Sequence, residues 1–491
     1  MNAAEISLDL LQGLAVMIVT GVLASRLARM LHIPDILLLL LAGALVGPAC
    51  LKLMAAPTSS AMSQLILTVG VAFILFEGGL TLSFKSLRPT LVTILLLATV
   101  GVIGMAAITG LSASLIWGLP PLVALLLGAI SAPTDPAVLI PLFHQVHVQE
   151  KCRRTLIAES AFNDATGSIL ALSLAAALAQ GGEMSVAAMG LGMLREAGIG
   201  LLVGLLVGYI LSVLVLKDAF RLNLFGSWLH LSPQLMLLGA ISAYMLAVRN
   251  HGNGFMAAFI AGLVLDELED NPTHHFVENL SSLFRMMIFV SLGSNVNFGM
   301  IWANLGWSCV VVLVFLLLAR PLVIWLCTLC DRRAKWTFRE FVFIAWARPT
   351  GVMPAALLGL LASYHLPAYD KIYSVAFLTI LVTILLQAGS AGWLARKLDL
   401  VDPPEIPLSR VNMLDALLVD QRYSIIQISP PPQLIGQTLA EADLRARYGI
   451  YVIVVKHGDE VDIVPNPSRV IQAEDQLVVI GESWRLGQII A

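Results

Sequence analysis

The stretches Ser131-Ala-Pro-Thr-Asp-Pro-Ala137 and Ala347-Arg-Pro-Thr-Gly-Val-Met-Pro354 interrupt two otherwise apolar segments of the chain. Both contain prolines, a Pro-Thr step and one ionisable residue. Proline removes helical hydrogen bonds, and the backbone groups left unpaired are tolerated at membrane depth only where they line a cavity within the protein. A pair of interrupted segments in corresponding halves of a chain is the best sequence indication of a transporter's ion site. We therefore expect two discontinuous helices with an ion site between them.

The composition is that of a polytopic membrane protein. Hydrophobic residues make up 58% of the 491 residues and charged residues 12%, whereas a soluble domain carries about 25% charge. The net charge of −3 does not bear on nucleic-acid binding. We expect no nucleic-acid partner for a membrane protein of this kind. Cys327 and Cys330 form a CxxC pair, but no second pair or nearby histidine pair completes a metal site. Because no P-loop, GxGxxG or catalytic carboxylate motif is present, we expect a transporter rather than an enzyme.

The hydrophobic pattern predicts thirteen membrane spans and their orientation. The spans lie near residues 8–24, 33–54, 61–83, 91–117, 119–142, 154–179, 190–216, 231–249, 253–266, 279–298, 303–330, 337–363 and 371–395. Lysine and arginine concentrate in alternate loops, which the positive-inside rule assigns to the cytoplasm. This places the N-terminus outside and the C-terminus in the cytoplasm of a plasma (inner) membrane. The interrupted spans are the fifth and twelfth, which suggests two six-helix repeats in opposite orientation, joined by the seventh span.

One face of the sixth span carries hard oxygen donors. At 100° per residue, Glu159, Ser160, Asn163 and Asp164 fall within an arc of about 140°. Asp164 lies near mid-span, where an unpaired carboxylate costs about 2.5–3.5 kcal/mol unless it binds a cation or a proton. A carboxylate that holds either one, but not both, is the minimum requirement for an exchanger. The alternative is a polar patch that only holds helices together.

Glu159 differs from Asp164 because two arginines could neutralise it. Arg320 lies deep in the eleventh span and Arg348 in the interrupted twelfth, and we favour Arg320 as the partner. An arginine does not discharge, so the pair would be a structural ion pair. Asp164 would then be the only titrating carrier.

The interrupted stretches supply further candidates. Thr134 can offer a backbone or hydroxyl oxygen to an ion. Asp135 either binds the ion or compensates the positive end of a half-helix. Arg348 and Thr350 occupy the second discontinuous helix. Glu77 is either a solvated residue of a cytoplasmic funnel or part of a second ion site, and the acidic and histidine-rich segment 266–275 is either a pH sensor or a solvated loop.

The chain changes character after residue 397. Residues 398–415, with the prolines of Asp402-Pro-Pro-Glu405, are predicted to form a stiff linker. Residues 416–491 predict a small cytoplasmic α+β domain. Its strands are expected at Tyr423–Ser429, Ile450–Lys456, Val461–Val464 and Gln476–Gly481, with a helix at Leu439–Tyr448.

Several motifs resemble those of monovalent cation/proton antiporters of the NhaP and sodium/proton exchanger family. They are Glu-Ser-Ala-Phe-Asn-Asp at 159–164, Ser131–Ala137, Leu75–Leu80, Gly43–Pro48 and Arg320. The resemblance covers residues 1–397. It implies a helical membrane fold of thirteen spans with crossed discontinuous helices, elevator-type alternating access and a homodimer in membrane lipid.

The resemblance also implies roles for particular residues. Asp164 would carry the ion or the proton, and Glu159 would pair with Arg320. Thr134, Asp135 and Ser160 would contact the ion together with Asp164. Asn163 stands where electrogenic relatives have aspartate, which implies electroneutral one-for-one exchange. In this chain a proline and a threonine follow Arg348, where many members have Arg-Gly, so the role of Arg348 is left open.

The tail resembles the TrkA C-terminal (RCK-C) regulatory domain. The matching features are Ile435-Gly436, Leu439, Leu444, Tyr448-Gly449, Ile453, Asp475 and Val478–Gly481. Such domains accompany potassium transport and bind small ligands, which implies a nucleotide or another small ligand here. No nucleotide-binding Rossmann half precedes the tail, so we do not expect NAD or ATP gating. For the membrane domain we expect no cofactor, and no metal beyond the transported cation.

Together these features predict an antiporter that exchanges cytoplasmic K⁺ or Na⁺, with K⁺ favoured, for external H⁺ under control of the C-terminal domain. The alternatives are a Na⁺/H⁺ antiporter, an RCK-gated K⁺ channel and a membrane-anchored sensor. A K⁺ channel should carry a filter such as Thr-Val-Gly-Tyr-Gly, and the sequence has none. A sensor would bind the ion without flux.

Overall fold

The computed structural model describes residues 3–31, 33–54, 60–82, 87–135, 139, 143, 146–179, 181, 186–215, 232–265, 272–364, 366–402, 423–431, 434–444, 450–457, 460–463 and 465–482. The chain forms two compact units, Met1–Asp402 and Pro403–Ala491. The acidic segment 266–270 and the greater part of the predicted linker lie outside the described residues.

The first unit is built from apolar helices. They are α1 (Ala3–Leu31), α2 (Asp35–Val46), α3 (Ala61–Leu80), α4 (Leu91–Trp117), α5 (Pro121–Ser131), α6 (Glu150–Ala179), α7 (Val186–Val215), α8 (Ser232–Arg249), α9 (Gly254–Leu263), α10 (Pro272–Ser294), α11 (Phe298–Cys330), α12 (Phe338–Trp346), α13 (Val352–Leu361) and α14 (Tyr369–Lys397). Single π-helical turns interrupt α4, α11 and α14.

Eight of the described helices are long and apolar enough to cross a membrane, and five shorter apolar helices accompany them. A span needs about 20 apolar residues, which the shorter helices do not reach. The predicted helical membrane fold is therefore confirmed, while the number of thirteen spans stays a prediction.

Small residues let neighbouring helices come into backbone contact. A methyl group added to Gly79 of α3 would lie 2.2 Å from the Phe259 carbonyl oxygen, and one added to Gly262 of α9 would lie 2.0 Å from that of Phe76. Glycine on both helices is what permits this approach, as in other membrane helix pairs.

Two helices end where the sequence places its interruptions. The first, α5, ends at Ser131, and the described residues 132–135 after it are not helical. The second, α12, ends at Trp346, and α13 begins only at Val352. The amide of Asp135 donates to the Pro349 carbonyl oxygen at 3.0 Å, so the two interruptions lie against each other.

The second unit contains a four-stranded antiparallel sheet. Its strands are β1 (Tyr423–Ile428), β2 (Tyr451–His457), β3 (Glu460–Ile463) and β4 (Gln476–Glu482), in the order β1-β4-β2-β3. Each lies within two residues of its predicted bounds, and a small α+β domain is confirmed.

The predicted helix Leu439–Tyr448 can be compared only in its first part, because residues 445–449 lie outside the described residues. The described helix, α15, is Leu439–Ala442, and it ends because Asp443 adopts a left-handed conformation with φ 38°. It begins in a capping box between Thr438 and Glu441. Hydrogen bonds from Thr438 lower the pKa of the exposed Glu441 carboxyl.

Candidate ion site

The first interruption is fastened to the polar face of α6. The Thr134 amide donates to Asn163 Oδ1 at 3.1 Å, and Asn163 Nδ2 donates to Thr134 Oγ1 at 2.7 Å. Ser160 Oγ donates to the Thr134 carbonyl oxygen at 2.7 Å. All three residues are buried. The carbonyl oxygen of Thr134 has a second lone pair, so it can still coordinate an ion while Ser160 holds it.

Glu159 is held by Arg320 in a two-pronged ion pair. Arg320 Nη1 lies 2.6 Å from Glu159 Oε1, and Nη2 lies 2.9 Å from Oε2. Both side chains are 2% exposed. Arg320 Nη2 also donates to the Ile344 carbonyl oxygen on α12 at 3.2 Å. A carboxylate with both oxygens on a guanidinium is satisfied by a permanent charge.

Arg348 compensates the C-terminal end of α5. Its Nη2 donates to the carbonyl oxygen of Ala132, one residue beyond that helix. A positive charge is favourable there because the carbonyls at a helix C-terminus carry partial negative charge. Arg348 Nε lies 3.9 Å from Glu159 Oε1. Among the described residues, its Nε and Nη1 form no hydrogen bond, although both are buried.

Asp135 compensates the N-terminal end of α13, on the other side of the two interruptions. Its Oδ2 accepts a hydrogen bond of 3.1 Å from the amide of Val352, the first residue of α13. Of the two roles considered for Asp135, this contact favours the compensation of a half-helix N-terminus. It leaves a role in ion binding as a prediction.

Gly351 is required by the close approach of Asp135. A methyl group added at Gly351 would lie 2.2 Å from Asp135 Cβ. We expect Gly351→Ala to lower the stability of the folded protein by about 1–3 kcal/mol, as overpacking of a core does, and to reduce transport. The thermal unfolding of the purified variant checks this. Gly306→Ala is the control because nothing lies within 4 Å of its added methyl group; equal unfolding temperatures in the two variants would contradict the prediction.

Thr350 is engaged by α14. Its amide donates to Thr383 Oγ1 at 3.0 Å, and the two hydroxyl oxygens lie 2.7 Å apart. Thr383 begins the π-helical turn of α14. Thr383 was not predictable from the sequence, because an apolar span with a threonine carries no signal for a π-helical turn.

On the polar face of α6, Asp164 is the carboxylate that forms no ion pair with an arginine of the described residues. The residue is half-buried, one helical turn beyond Ser160. Its Oδ1 is buried and accepts no hydrogen bond within the described part of the chain. A small cavity lies close by, lined by Thr134, Asp135, Leu139, Leu156, Glu159, Ser160, Ala347, Arg348 and Pro349. Asp164 lies outside that lining.

Glu77 has a charged partner that the sequence did not predict. Arg285 of α10 places Nη2 3.8 Å from Glu77 Oε2, and both side chains are half-buried. Both roles considered for Glu77 stay predictions. The described residues contain no group of three or more histidine, cysteine, aspartate or glutamate side chains that could hold a metal ion.

Comparison with known proteins identifies the family. The family model described as "Sodium/hydrogen exchanger, transmembrane" matches residues 14–397, and the TrkA-C domain model matches residues 424–491. The chain belongs to the sodium/hydrogen exchanger family. The predicted resemblances of both parts of the exchanger are thus confirmed. As an antiporter of this family, it is a multi-pass secondary transporter and not an enzyme.

Two relatives and one solved structure are informative for this exchanger. Na(+)/H(+) antiporter 1 of Methanocaldococcus jannaschii is 32% identical, over 78% of this chain and 95% of its own length. K(+)/H(+) antiporter NhaP2 of Shewanella sp. strain ANA-3 is 28% identical, over 99% of this chain and 83% of its own. The structure of the sodium proton antiporter MjNhaP1 from M. jannaschii at pH 8 superposes with a TM-score of 0.68 at 29% identity, covering 78% of this chain and 97% of that chain.

Proposed function

We propose that the exchanger moves one monovalent cation out of the cytoplasm for each proton that enters, with Asp164 as the alternating carrier. The observation that carries this proposal is the contrast within one helix face. Glu159 is saturated by Arg320, whereas Asp164 Oδ1 is buried without a hydrogen-bond partner among the described residues. A desolvated carboxylate in that state gains by binding either a proton or a cation.

The other site residues then take two kinds of role. Ser160, Asn163, Thr134 and Asp135 contact the ion or hold the oxygens that do. The Glu159–Arg320 pair, Arg348 and Thr350 keep the two interruptions in place. The transport cycle is alternating access in a homodimer, with the N-terminus outside and the C-terminus in the cytoplasm.

The proposed cation is K⁺, with Na⁺ as the second candidate. Support comes from the coverage of the relatives. The Shewanella K(+)/H(+) antiporter aligns with both the membrane part and the tail of this chain, over 99% of its length. The Methanocaldococcus Na(+)/H(+) antiporter aligns over 78%. The oxygen donors of the site suit both ions.

Exchange is proposed to be electroneutral because position 163 carries an amide. Asn163 contributes no charge, so one proton on Asp164 would be replaced by one monovalent cation. We expect K⁺ to dissipate an imposed pH gradient in proteoliposomes at a rate that an imposed membrane potential does not change. Flux is measured with K⁺ and Na⁺ at several pH values. A rate that follows the potential would contradict the assignment of Asn163, and single-channel currents would favour the channel.

We further propose that the C-terminal unit regulates the site through the last residues of the membrane unit. The Asp402 amide donates to the His147 carbonyl oxygen at 2.9 Å, and the Gln149 amide donates to the Leu400 carbonyl oxygen at 2.9 Å. Val148 and Val401 form the β-bridge between these bonds. On one side, this ladder comprises residues 147–149, which directly precede α6. On the other side it comprises residues 400–402, which directly precede Pro403, the first residue of the second unit.

Asp402→Pro should alter regulation, because proline removes the amide that bonds His147. We expect the cation concentration for half-maximal flux to change at least about twofold, as loss of a coupling of about 0.5 kcal/mol would produce. A flexible Gly-Ser insertion after Asp402 should have the same effect, and the two changes combined should have no greater effect. Val401→Pro is the control, since the ladder does not use its amide. Unchanged flux in both test variants would contradict regulation by this route.

A further inference from the structure

An ion pair between a half-buried lysine and a buried glutamate joins the first turn of α6 to the first turn of α12. Lys151 Nζ lies 2.9 Å from Glu340 Oε2, donates to the Lys335 carbonyl oxygen at 3.3 Å and sits 4.2 Å from the centre of the Trp336 ring. The Glu340 side chain is 8% exposed. Its Oε2 also accepts hydrogen bonds from the amide and hydroxyl of Thr337 in a capping box.

Each residue of this pair precedes a residue of the ion site by the same number of positions. Glu159 lies eight residues after Lys151, and Arg348 lies eight residues after Glu340. Lys151 and Glu159 both lie in α6, so at 1.5 Å per residue they are separated by about 12 Å along its axis, whereas Arg348 lies two residues beyond the end of α12. Arg348 Nε is again within 3.9 Å of Glu159. The segment from Glu340 to Arg348 therefore runs beside α6 and contacts it near both of its ends.

The same cluster extends to two further helices. Trp336 Nε1 donates to Thr93 Oγ1 of α4 at 2.9 Å. The amide and hydroxyl of Thr93 both donate to Oδ2 of Asp331, which directly follows α11, at 3.1 and 2.7 Å. Asp331 is buried. The α11–α12 connection is thus anchored, and Lys151 is the group in these contacts that links it to the helix bearing Asp164.

We propose that Lys151 and Glu340 are positioning residues for cation exchange. Their pair sets the longitudinal register of α12 against α6, and through it the location of Arg348 and the second interruption relative to Asp164. Neither side chain touches the ion. The inference rests on the proposed function, in which the two interruptions and α6 form the ion site. It adds a second group of residues, about 12 Å from Glu159 along α6, on which the geometry of that site depends.

The test uses the full chain in proteoliposomes with K⁺ as the probe. The variants are Lys151→Met, Glu340→Gln and the two together. Glutamine preserves the capping box with Thr337, so Glu340→Gln removes the charge while α12 can still start. We expect each single variant to raise the apparent KM for K⁺ about threefold to tenfold, in line with coupling energies of contacting residues. The double variant should be no worse than the poorer single one.

Two controls separate positioning from folding. Lys151→Arg keeps the charge and should restore an apparent KM close to that of the unaltered chain. Arg153→Met removes an exposed pair with Glu150 on the same helical turn and should leave KM unchanged. The unfolding temperature and membrane abundance are measured for every variant.

Three results would overturn the inference. One is an unfolding temperature that falls in Lys151→Met and Glu340→Gln while their KM stays unchanged. Another is a pair of KM effects that multiply in the double variant, because the two residues would then act independently. Absence of both K⁺–H⁺ and Na⁺–H⁺ exchange in the unaltered chain would overturn the proposed function and this inference together, whereas the first two results would overturn the inference alone.

Discussion

Asp164→Asn is expected to reduce cation-dependent dissipation of a pH gradient to the background of empty vesicles. The amide has nearly the shape of the carboxyl group but neither releases a proton nor carries the charge that attracts a cation. Because Glu159 is occupied by Arg320 on both oxygens, it cannot take over the role. The measurement is the fluorescence of a pH-sensitive dye in proteoliposomes after addition of K⁺ or Na⁺.

A matched control for this substitution lies on α14. Asp370 Oδ2 accepts a hydrogen bond from Asn304 Nδ2 at 3.2 Å, and the residue stands outside the crossing of the interrupted helices. Asp370→Asn should retain exchange. If Asp164→Asn retained exchange as well, Asp164 would not be the carrier, and the proposed function would lose the observation on which it depends.

Arg320→Met is expected to have the largest effect on folding. It would leave the Glu159 carboxylate in a site that is 2% exposed. Breaking a buried ion pair from one side destabilises a protein by about 3–5 kcal/mol, since the remaining charge is uncompensated. We expect a large loss of folded protein in the membrane and a lower unfolding temperature in detergent, even before transport is considered.

The double variant Glu159→Gln with Arg320→Met tests whether the pair has a structural role or takes part in ion binding. Replacing both partners of a buried pair removes the unpaired charge, so stability should recover toward that of the unaltered chain. Arg348, whose Nε lies 3.9 Å from Glu159, is too distant to form the hydrogen bonds that Arg320 supplies. If Arg320→Met alone unfolded at the temperature of the unaltered chain, the pair would not be a structural one.

The two expectations assign opposite roles to carboxylates five residues apart on one helix. Loss of the arginine that pairs with Glu159 should destabilise the protein. Loss of the Asp164 carboxyl group should leave the protein folded but inactive in exchange. The difference follows from whether a guanidinium occupies the carboxylate, which is a property of the packed helices.

Features that depend on local chemistry could be predicted from the amino-acid sequence. A proline within a Pro-Thr step beside an ionisable residue disfavours a continuous helix, so the interruptions at 132–135 and 347–351 were predictable from Pro133 and Pro349. Helical periodicity places Ser160, Asn163 and Asp164 on one face whatever surrounds them. Short runs of β-type residues likewise predicted the four strands of the tail.

Tertiary structure alone decided which groups meet across the chain. Arg320 and Arg348 were both candidates for Glu159, and only the packing of α11 against α6 separates a pair at 2.6 Å from one at 3.9 Å. The amide of Val352, the hydroxyl of Thr383 and the guanidinium of Arg285 could not be assigned as partners in advance. The physical reason is that hydrogen bonds and ion pairs depend on ångström-scale distances between helices, whereas proline breaks and helical faces depend only on neighbouring residues.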